Sequence, residues 1–258
     1  MSVTVEGPYI SAMTYITKIF AGLCTALAFT AQAANAADDL VVVELFTTQG
    51  CSSCPPLDAV MEDVARRDYV LALRWSVSIW DYLGWKDTLS IPQSNTRHRW
   101  YNQVINGRNM VYTPQVFVDG EAPFRGNSRQ QALLETIEKR RGDSSNMIDV
   151  AFSAQTPGQV DIKLSSPPPA SSRMQIVYYD YEKTVQIGAG ENRGRTITYS
   201  NIVRGTRPLD TANGKQIHMV DMTDAFAKNC DAFAILLQDS VSGKMLAAAH
   251  YDLKTARS

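Results

Sequence analysis

Two cysteines separated by two serines are the residues of this sequence whose types and spacing best support chemistry. Cys51 and Cys54 follow the apolar, β-branched run 41–46, which predicts a buried strand ending near Gly50. The apolar spacing over 57–66 predicts a helix directly after them. A helix N-terminus stabilises a thiolate, and the thiolate is the nucleophile of disulfide exchange. The pattern therefore predicts a redox-active dithiol.

Two prolines indicate where this helix begins. The prolines at 55–56 lack N–H donors, so they fit in the first turn of a helix, where those donors have no partner. We therefore expect the helix to begin near Ser52 or Ser53, with Cys51 at its tip and Cys54 inside its first turn.

Length and charge set the class of protein. The chain has 258 residues and a formal net charge of -1, with 45% hydrophobic residues. That length suffices for one large domain or two modest ones. The near-neutral charge, with no basic stripe, predicts no nucleic-acid surface.

The N-terminal segment predicts export. Lys18 precedes the short apolar run 19–29, and an A-x-A pattern follows at 34–36, as in a secretory signal peptide over 1–36. The absence of positive charge before Met13 is consistent with translation starting there. The apolar run is too short to span a bilayer, so we expect a periplasmic or secreted protein with no stable membrane insertion after cleavage.

Cleavage at this site leaves three cysteines. Cys51 and Cys54 form the obvious pair, which leaves Cys230 over. We expect Cys230 to be buried and inert.

The remaining pattern predicts two domains. Segment 37–143 has β-α-β order, which implies a parallel crossover, and segment 144–258 has short alternating strands typical of an antiparallel sandwich. The predicted strands of the second segment are 148–152, 160–164, 174–179, 196–202, 231–237 and 244–251. The run 190–194 lacks the ending of a phosphate loop and reads as a hairpin turn.

Two clusters of side chains have competing interpretations. Trp80, Tyr82 and Trp85 lie in the insert 79–87, which either forms a substrate-facing lip or packs between the domains. On a predicted helix over 94–104, the cluster of Arg97, His98 and Arg99 is interpreted as a solvated face.

Three other roles compete for the cysteine pair. A structural disulfide would close almost no loop and so would remove little unfolded-state entropy. A zinc site needs about four ligands, and the histidines at 98, 218 and 250 lack ligand spacing. A copper-binding dithiol remains open.

Several of these motifs together resemble a known superfamily. The stretches 44–56 and 113–120, and the helix starting at Ser128, are similar to the thioredoxin superfamily in content and order. The runs LFTTQGCSSCPP, WDYLGWKD and YTPQ, with GEN-x-GR at 190–195, resemble more closely a family of secreted bacterial thioredoxin-like proteins of unknown function.

The resemblance implies an α/β fold, with a thioredoxin-like domain followed by a β-rich, sandwich-like domain. Cys51 would attack a substrate disulfide and Cys54 would resolve the mixed disulfide. Thr113 and a cis Pro114 would face the pair and bind an extended substrate chain. Glu44 would carry a proton for the second cysteine, unless it is an ordinary strand-end residue.

The prediction is therefore an exported thiol–disulfide oxidoreductase that acts on the thiols or disulfides of other exported proteins, with no cofactor beyond the dithiol. Its direction is not assigned, because thioredoxin's tryptophan before the first cysteine is Gly50 here and the intervening serines carry no charge. The alternatives are a non-catalytic module that binds copper or a partner protein, and an envelope protein with a fixed disulfide.

Overall fold

The structure is a computed structural model that describes residues 1–4, 40–125, 130–141, 148–156, 158–223 and 229–254. Apart from residues 1–4, the predicted signal peptide 1–36 lies outside the described residues, as does Ser128. No helix within the described ranges has the length and apolar character needed to cross a bilayer.

The chain begins with strands and helices and continues almost entirely as strands. Its elements are β1 Val41–Thr47, α1 Pro55–Val64, β2 Val70–Ser76, α2 Pro92–Asn106, β3 Gln115–Val118, β4 Glu121–Arg125, α3 Gln130–Arg141, β5 Val150–Ser153, β6 Gln159–Leu164, β7 Ser172–Gln186, β8 Thr196–Leu209, β9 Ile217–Asp221, β10 Ala232–Asp239 and β11 Met245–Asp252. Short 3₁₀ turns lie at Asp81–Leu83 and Ala212–Gly214.

A mixed eight-stranded sheet carries the fold. Its order is β11-β10-β7-β8-β2-β1-β3-β4, with β1 parallel to β2 and antiparallel to β3. A smaller sheet has the order β5-β6-β9. The expected α/β class is therefore confirmed in this general form.

Strands from both predicted segments belong to the large sheet. They meet where β2 runs parallel to β8, and the register there holds one pair, Arg74 with Ile202. The described residues from Leu40 onward belong to one compact unit. The boundary at 143/144 thus remains a prediction from the sequence, and the sheet passes across it.

The two faces of the large sheet are covered differently. Alternate β1 residues Val41, Val43 and Leu45 pack with α1 and α3, while Val42 and Phe46 pack with α2 on the opposite face. The small sheet packs on β7 and β10. The large sheet curves around α2, so that the Met245 N–H donates to the Asp119 carbonyl at 2.8 Å.

The predicted strands of the second segment correspond to β5, β6, β7, β8, β10 and β11, and β9 was missed. Ile217 and Met219 of β9 point outward and are exposed, while His218 and Val220 point inward. Apolar residues on both faces leave no alternating pattern for this strand.

The predicted solvated face of α2 is wrong for two of its three residues. Arg97 and His98 are buried, and Arg99 alone is exposed. Arg97 donates from Nε and Nη2 to the Glu44 carboxylate at 2.6 and 2.8 Å. His98 Nε2 lies 2.7 Å from Gln115 Oε1. Charged and polar side chains can be buried here because the curved sheet supplies their partners.

Candidate functional site

Cys51 and Cys54 form a disulfide in the turn between β1 and α1. Their Cα atoms are 5.4 Å apart. Cys54 is fully buried, whereas Cys51 is 5% exposed. Cys51 is therefore the more accessible of the two cysteines.

Helix α1 begins later than the prolines suggested. Cys54 is its N-cap and Pro55 its first residue, so the expected start near Ser52 or Ser53 is wrong by two to three residues. The residues before Cys54 form a turn instead, closed by the Cys54 N–H donating to the Cys51 carbonyl at 3.2 Å. Cys51 still lies just before the helix N-terminus, where the helix dipole favours a thiolate.

The serine next to the inner cysteine contacts the outer sulfur. Ser53 Oγ lies 3.3 Å from Cys51 Sγ. Because a disulfide sulfur carries no hydrogen, the hydroxyl is the donor in this state. The uncharged serine pair therefore still supplies a polar donor to Cys51.

The insert after β2 fastens the turn that carries the cysteines. Asp87 accepts the Gln49 N–H at 2.8 Å, and Trp85 donates from its indole nitrogen to Gln49 Oε1 at 2.7 Å. Burial raises the pKa of Asp87, and hydrogen bonds from backbone N–H groups oppose that shift. These contacts hold the backbone one residue before Gly50.

Trp80 joins the cysteine turn to the start of β3. Its indole nitrogen donates to Thr113 Oγ1 at 2.8 Å. A Cβ added at Gly50 would lie 3.4 Å from the Trp80 Cβ and backbone oxygen, so Trp80 occupies the space beside that glycine. The Thr113–Pro114 bond is cis, as the resemblance implied.

The aromatic residues of the insert 79–87 lie in two different environments, one exposed and one packed against the second predicted segment. Tyr82 is 74% exposed, and its ring centroid is 5.9 Å from that of Trp80. Trp85 instead packs closely against the turn between β7 and β8. The contact is tight at Gly188 and Gly190, since a Cβ atom added at either glycine would lie only 3.0 or 3.1 Å from Trp85. Tyr82 therefore forms an exposed aromatic edge, while Trp85 packs against the second predicted segment.

The turn between β7 and β8 reaches the cysteines, and the sequence did not predict this contact. The buried Asn192 donates from Nδ2 to the carbonyls of Gln49 and Cys51 at 2.9 and 2.8 Å. The exposed Glu191 accepts the Ser52 N–H on Oε2 at 3.1 Å. The sequence did predict a hairpin turn at 190–194, which contains the GEN run, but it did not show that this turn contacts the cysteines.

Glu44 is fully buried on β1 and is bound by the α2 network. Arg97 binds both of its oxygens, and the Tyr101 hydroxyl also donates to it. These contacts favour the alternative in which Glu44 is a structural residue, and its proposed proton transfer stays a prediction.

Asp58 is a second buried carboxylate, on α1 one turn after Cys54. Residues four apart on a helix lie on the same face, so Asp58 follows Cys54 along the helix. It pairs with Arg74 at 3.3 Å and accepts the Thr47 hydroxyl at 3.2 Å. Burial raises the pKa of Asp58 to about 6, although Arg74 opposes the shift. The spacing Cys54-x-x-x-Asp58 was available in the sequence and was overlooked.

The structure offers little support for a conventional metal centre. Among the described residues, no three histidine, cysteine, aspartate or glutamate side chains are grouped to hold a metal ion. Cys230 is buried and is not part of the disulfide. Within the part of the chain that the structure describes, the copper alternative rests on the two sulfurs of Cys51 and Cys54.

One protein family matches most of this chain. A family described as "Protein of unknown function (DUF1223)" matches residues 42–238. The chain belongs to the DUF1223 family. The region shared with other DUF1223 proteins thus includes both cysteines, the aromatic insert and the turn between β7 and β8.

A solved structure resembles this DUF1223 chain over most of its length. The crystal structure of protein AGR_C_4864 from Agrobacterium tumefaciens is 26% identical, with a TM-score of 0.67, and the match covers 81% of this chain and 92% of that chain. An endonuclease/exonuclease/phosphatase from Beutenbergia cavernae DSM 12333 is 15% identical over 43% of this chain and 24% of its own, and its TM-score of 0.20 carries no argument. A comparison with curated proteins finds no match.

Proposed function

We propose that this DUF1223 protein is an exported thiol–disulfide oxidoreductase that acts on other exported proteins through Cys51 and Cys54. The observation that carries the proposal is the disulfide itself, placed before the N-terminus of α1 with Cys51 as the more exposed sulfur. A two-residue spacing closes too short a loop to add much stability, which favours a chemical role over a structural one.

The proposed reaction is a two-step exchange. In the reduced protein, the Cys51 thiolate attacks one sulfur of a substrate disulfide; that bond breaks, and the departing substrate sulfur takes up a proton. The Cys54 thiol then loses its proton, and its thiolate attacks Cys51 in the mixed disulfide. The substrate leaves as a dithiol, the Cys51–Cys54 bond forms, and two electrons have passed to the substrate. The reverse sequence oxidises a substrate dithiol.

Asp58 is the carboxylate that we assign to the Cys54 proton. It is buried on the helical face that follows Cys54, and its pKa of about 6 lets it accept a proton near neutral pH. Glu44 suits this role less well, because Arg97 binds both of its oxygens.

A thioredoxin-like arrangement of 37–143 belongs to the same proposal. The order β1-α1-β2-α2-β3-β4-α3 and the cis Thr113–Pro114 bond support it. Thr113, Pro114, Trp80 and Tyr82 would then border an extended substrate chain beside Cys51, while Trp85 would hold the wall of the site through Gln49. A periplasmic or secreted location follows from the predicted signal peptide 1–36.

The test is exchange with model proteins. The mature chain, with Cys230→Ser to remove the other thiol, should reduce insulin with dithiothreitol as electron source, oxidise reduced ribonuclease with its own disulfide as oxidant, or isomerise scrambled ribonuclease. Cys54→Ser should accumulate mixed disulfides through Cys51, and Cys51→Ser should not.

Two results would overturn the proposal. One is a Cys230→Ser protein that is folded and reducible yet exchanges with neither insulin nor ribonuclease. The other is stoichiometric Cu(I) binding that protects both thiols without any exchange, which would identify a metal-binding module instead.

A further inference from the structure

The turn between β7 and β8 places a carboxylate on the cysteine turn. Glu191 Oε2 accepts the backbone N–H of Ser52, the residue directly after Cys51, at 3.1 Å. Hydrogen bonding from the Ser52 hydroxyl, and then from its backbone N–H, lowers the pKa of Glu191, so the side chain is an anion at neutral pH. A negative charge from the second predicted segment therefore lies next to the proposed nucleophile.

Asn192 fixes that carboxylate in place. Its Nδ2 bridges the carbonyls of Gln49 and Cys51, and the side chain is 2% exposed. Only the amide nitrogen can donate to two carbonyl oxygens, so these contacts also set the orientation of the amide. The turn is thus attached to the backbone on both sides of Gly50, immediately beside Glu191.

The charge acts on one redox state more than on the other. N–H groups before a helix stabilise a thiolate at Cys51, but Glu191 occupies the Ser52 N–H and adds a like charge. The disulfide is neutral and feels little of this repulsion. Anything that destabilises the thiolate therefore favours the oxidised form.

We propose that Glu191, held by Asn192, is a positioning residue that acts through Cys51 to destabilise its thiolate and make the Cys51–Cys54 disulfide harder to reduce. This inference deepens the proposed function and rests on it for its biological meaning. It assigns the second segment a part in the chemistry of the cysteine pair.

Other charges surround the same turn and must stay constant in the test. They are Asp81 and Asp87 from the insert, Asp58 with Arg74 from α1 and β2, and the exposed Arg193 and Arg195 from the turn itself. Glu191→Gln removes one charge and leaves all of them unchanged.

The experiment compares Glu191→Gln with Glu182→Gln, an exposed glutamate on β7 of the same hairpin, in the mature Cys230→Ser chain. The disulfide is equilibrated with glutathione, so that two glutathione thiols are oxidised for each protein disulfide reduced. Glu191→Gln should raise the equilibrium constant for reduction about threefold and lower the midpoint pH of Cys51 alkylation. Glu182→Gln should change neither, and the difference should shrink in 1 M salt.

Equal equilibrium constants for Glu191→Gln and Glu182→Gln, in variants with unchanged thermal stability, would overturn the inference. Glu191→Ala provides a second variant with the same expected direction. The two proposals can be contradicted separately. If the protein exchanges with insulin but Glu191→Gln leaves the equilibrium constant unchanged, only this inference is wrong. If Glu191→Gln shifts the constant but the protein exchanges with neither insulin nor ribonuclease, only the proposed oxidoreductase function is wrong.

Discussion

At the scale of single residues, the reactivity of Cys51 depends on its immediate donors. The serines between the cysteines bring no charge, yet the Ser53 hydroxyl lies 3.3 Å from Cys51 Sγ. A hydroxyl donating to a thiolate stabilises the anion, and hydrogen bonds to charged groups are among the stronger ones. Ser53 therefore works against Glu191 in setting the thiol pKa.

Replacing Ser53 with alanine tests that contact. Ser53→Ala should raise the pKa of the Cys51 thiol by about one unit, because the thiolate loses a donor. The measurement is the pH dependence of the iodoacetamide reaction in the reduced Cys230→Ser protein. Ser53→Thr keeps the hydroxyl and should behave as the parent does. An unchanged midpoint in Ser53→Ala would show that the serine hydroxyl does not reach the thiolate.

Glu44 can be tested separately as a structural or a chemical residue. Its carboxylate is buried with Arg97 and receives the Tyr101 hydroxyl. Glu44→Gln leaves a buried guanidinium without its counter-charge, so the free energy of unfolding should fall by about 3 kcal/mol. Urea denaturation measures this loss. The exposed Glu62, paired with Arg66, provides the control Glu62→Gln, with a change of at most about 0.5 kcal/mol.

The rate of exchange in Glu44→Gln distinguishes the two roles. We expect the folded variant to react with insulin at a rate close to that of the parent. A large loss of rate with unchanged stability would instead support the proton-transfer role that the resemblance implied for Glu44.

At the scale of elements, the cysteine turn is held by segments that are distant in sequence. The insert binds Gln49, and the turn between β7 and β8 binds the carbonyls on both sides of Gly50. Cys51 is only 5% exposed in this arrangement. Because the β7–β8 turn is bonded to the Cys51 carbonyl and the Ser52 N–H, we expect a protein-sized substrate to need movement of this turn and a small thiol to need less room.

Asn192→Ala should loosen that turn. The variant loses two hydrogen bonds to buried backbone carbonyls, at a cost of about 2 kcal/mol. Reduction of the disulfide by a protein dithiol should then become several-fold faster relative to reduction by dithiothreitol. Stopped-flow measurement of both rates gives the ratio, and Arg193→Ala, an exposed neighbour in the same turn, is the control. A ratio unchanged by Asn192→Ala would mean that the turn does not limit access.

Local pattern predicted most elements of this fold but not how they are joined. The run 41–46 and the apolar spacing after Cys54 predicted β1 and α1, because each pattern reports burial of its own segment. Helix α1 was placed too early, since prolines at 55–56 restrict the first turn without identifying the N-cap. The contact of Asn192 with Cys51 joins residues 141 positions apart, and no local period reports such a pairing.

At the scale of the whole molecule, the curved sheet places α2 in an interior that is lined with polar partners. The sequence suggested a solvated helix face because charged residues are seldom fully buried. Arg97 reaches Glu44 on β1 and Gln238 on β10, the latter at 2.6 Å. These partners come from opposite ends of the chain, so the sequence alone could not show that Arg97 is satisfied inside.

His98 extends this interior and should make stability depend on pH. Its ring stacks on Phe46 with centroids 4.4 Å apart, and Gln115 accepts from Nε2. Burial lowers the pKa of His98 to about 4, although the bond to Gln115 opposes the shift. The folded state therefore holds a neutral imidazole that the unfolded chain protonates near pH 6.5.

The direction of the effect follows from proton uptake. Between pH 6.5 and 4 the unfolded state binds more protons at His98 than the folded state does, so the contribution of His98 to stability is complete above pH 6.5 and is lost towards pH 4. The shift corresponds to about 3 kcal/mol. Asp58 and Asp119, whose pKa values burial raises to about 6, act in the opposite direction between about pH 6 and 4, which is most of this range.

His98→Gln separates these contributions. At pH 7.5 His98→Gln should be less stable than the parent. As the pH falls to 4.5, the thermal stability of His98→Gln should rise relative to that of the parent, because the variant keeps the stabilising protonation of Asp58 and Asp119 without the opposing effect of His98. Calorimetry at several pH values gives the two slopes. His250→Gln, at an exposed position of β11, is the control; burial lowers the pKa of His250 as well, so this variant should show a smaller change of slope in the same direction. Parallel curves for the parent and His98→Gln would mean that His98 is not the buried neutral base, and that another group controls acid stability.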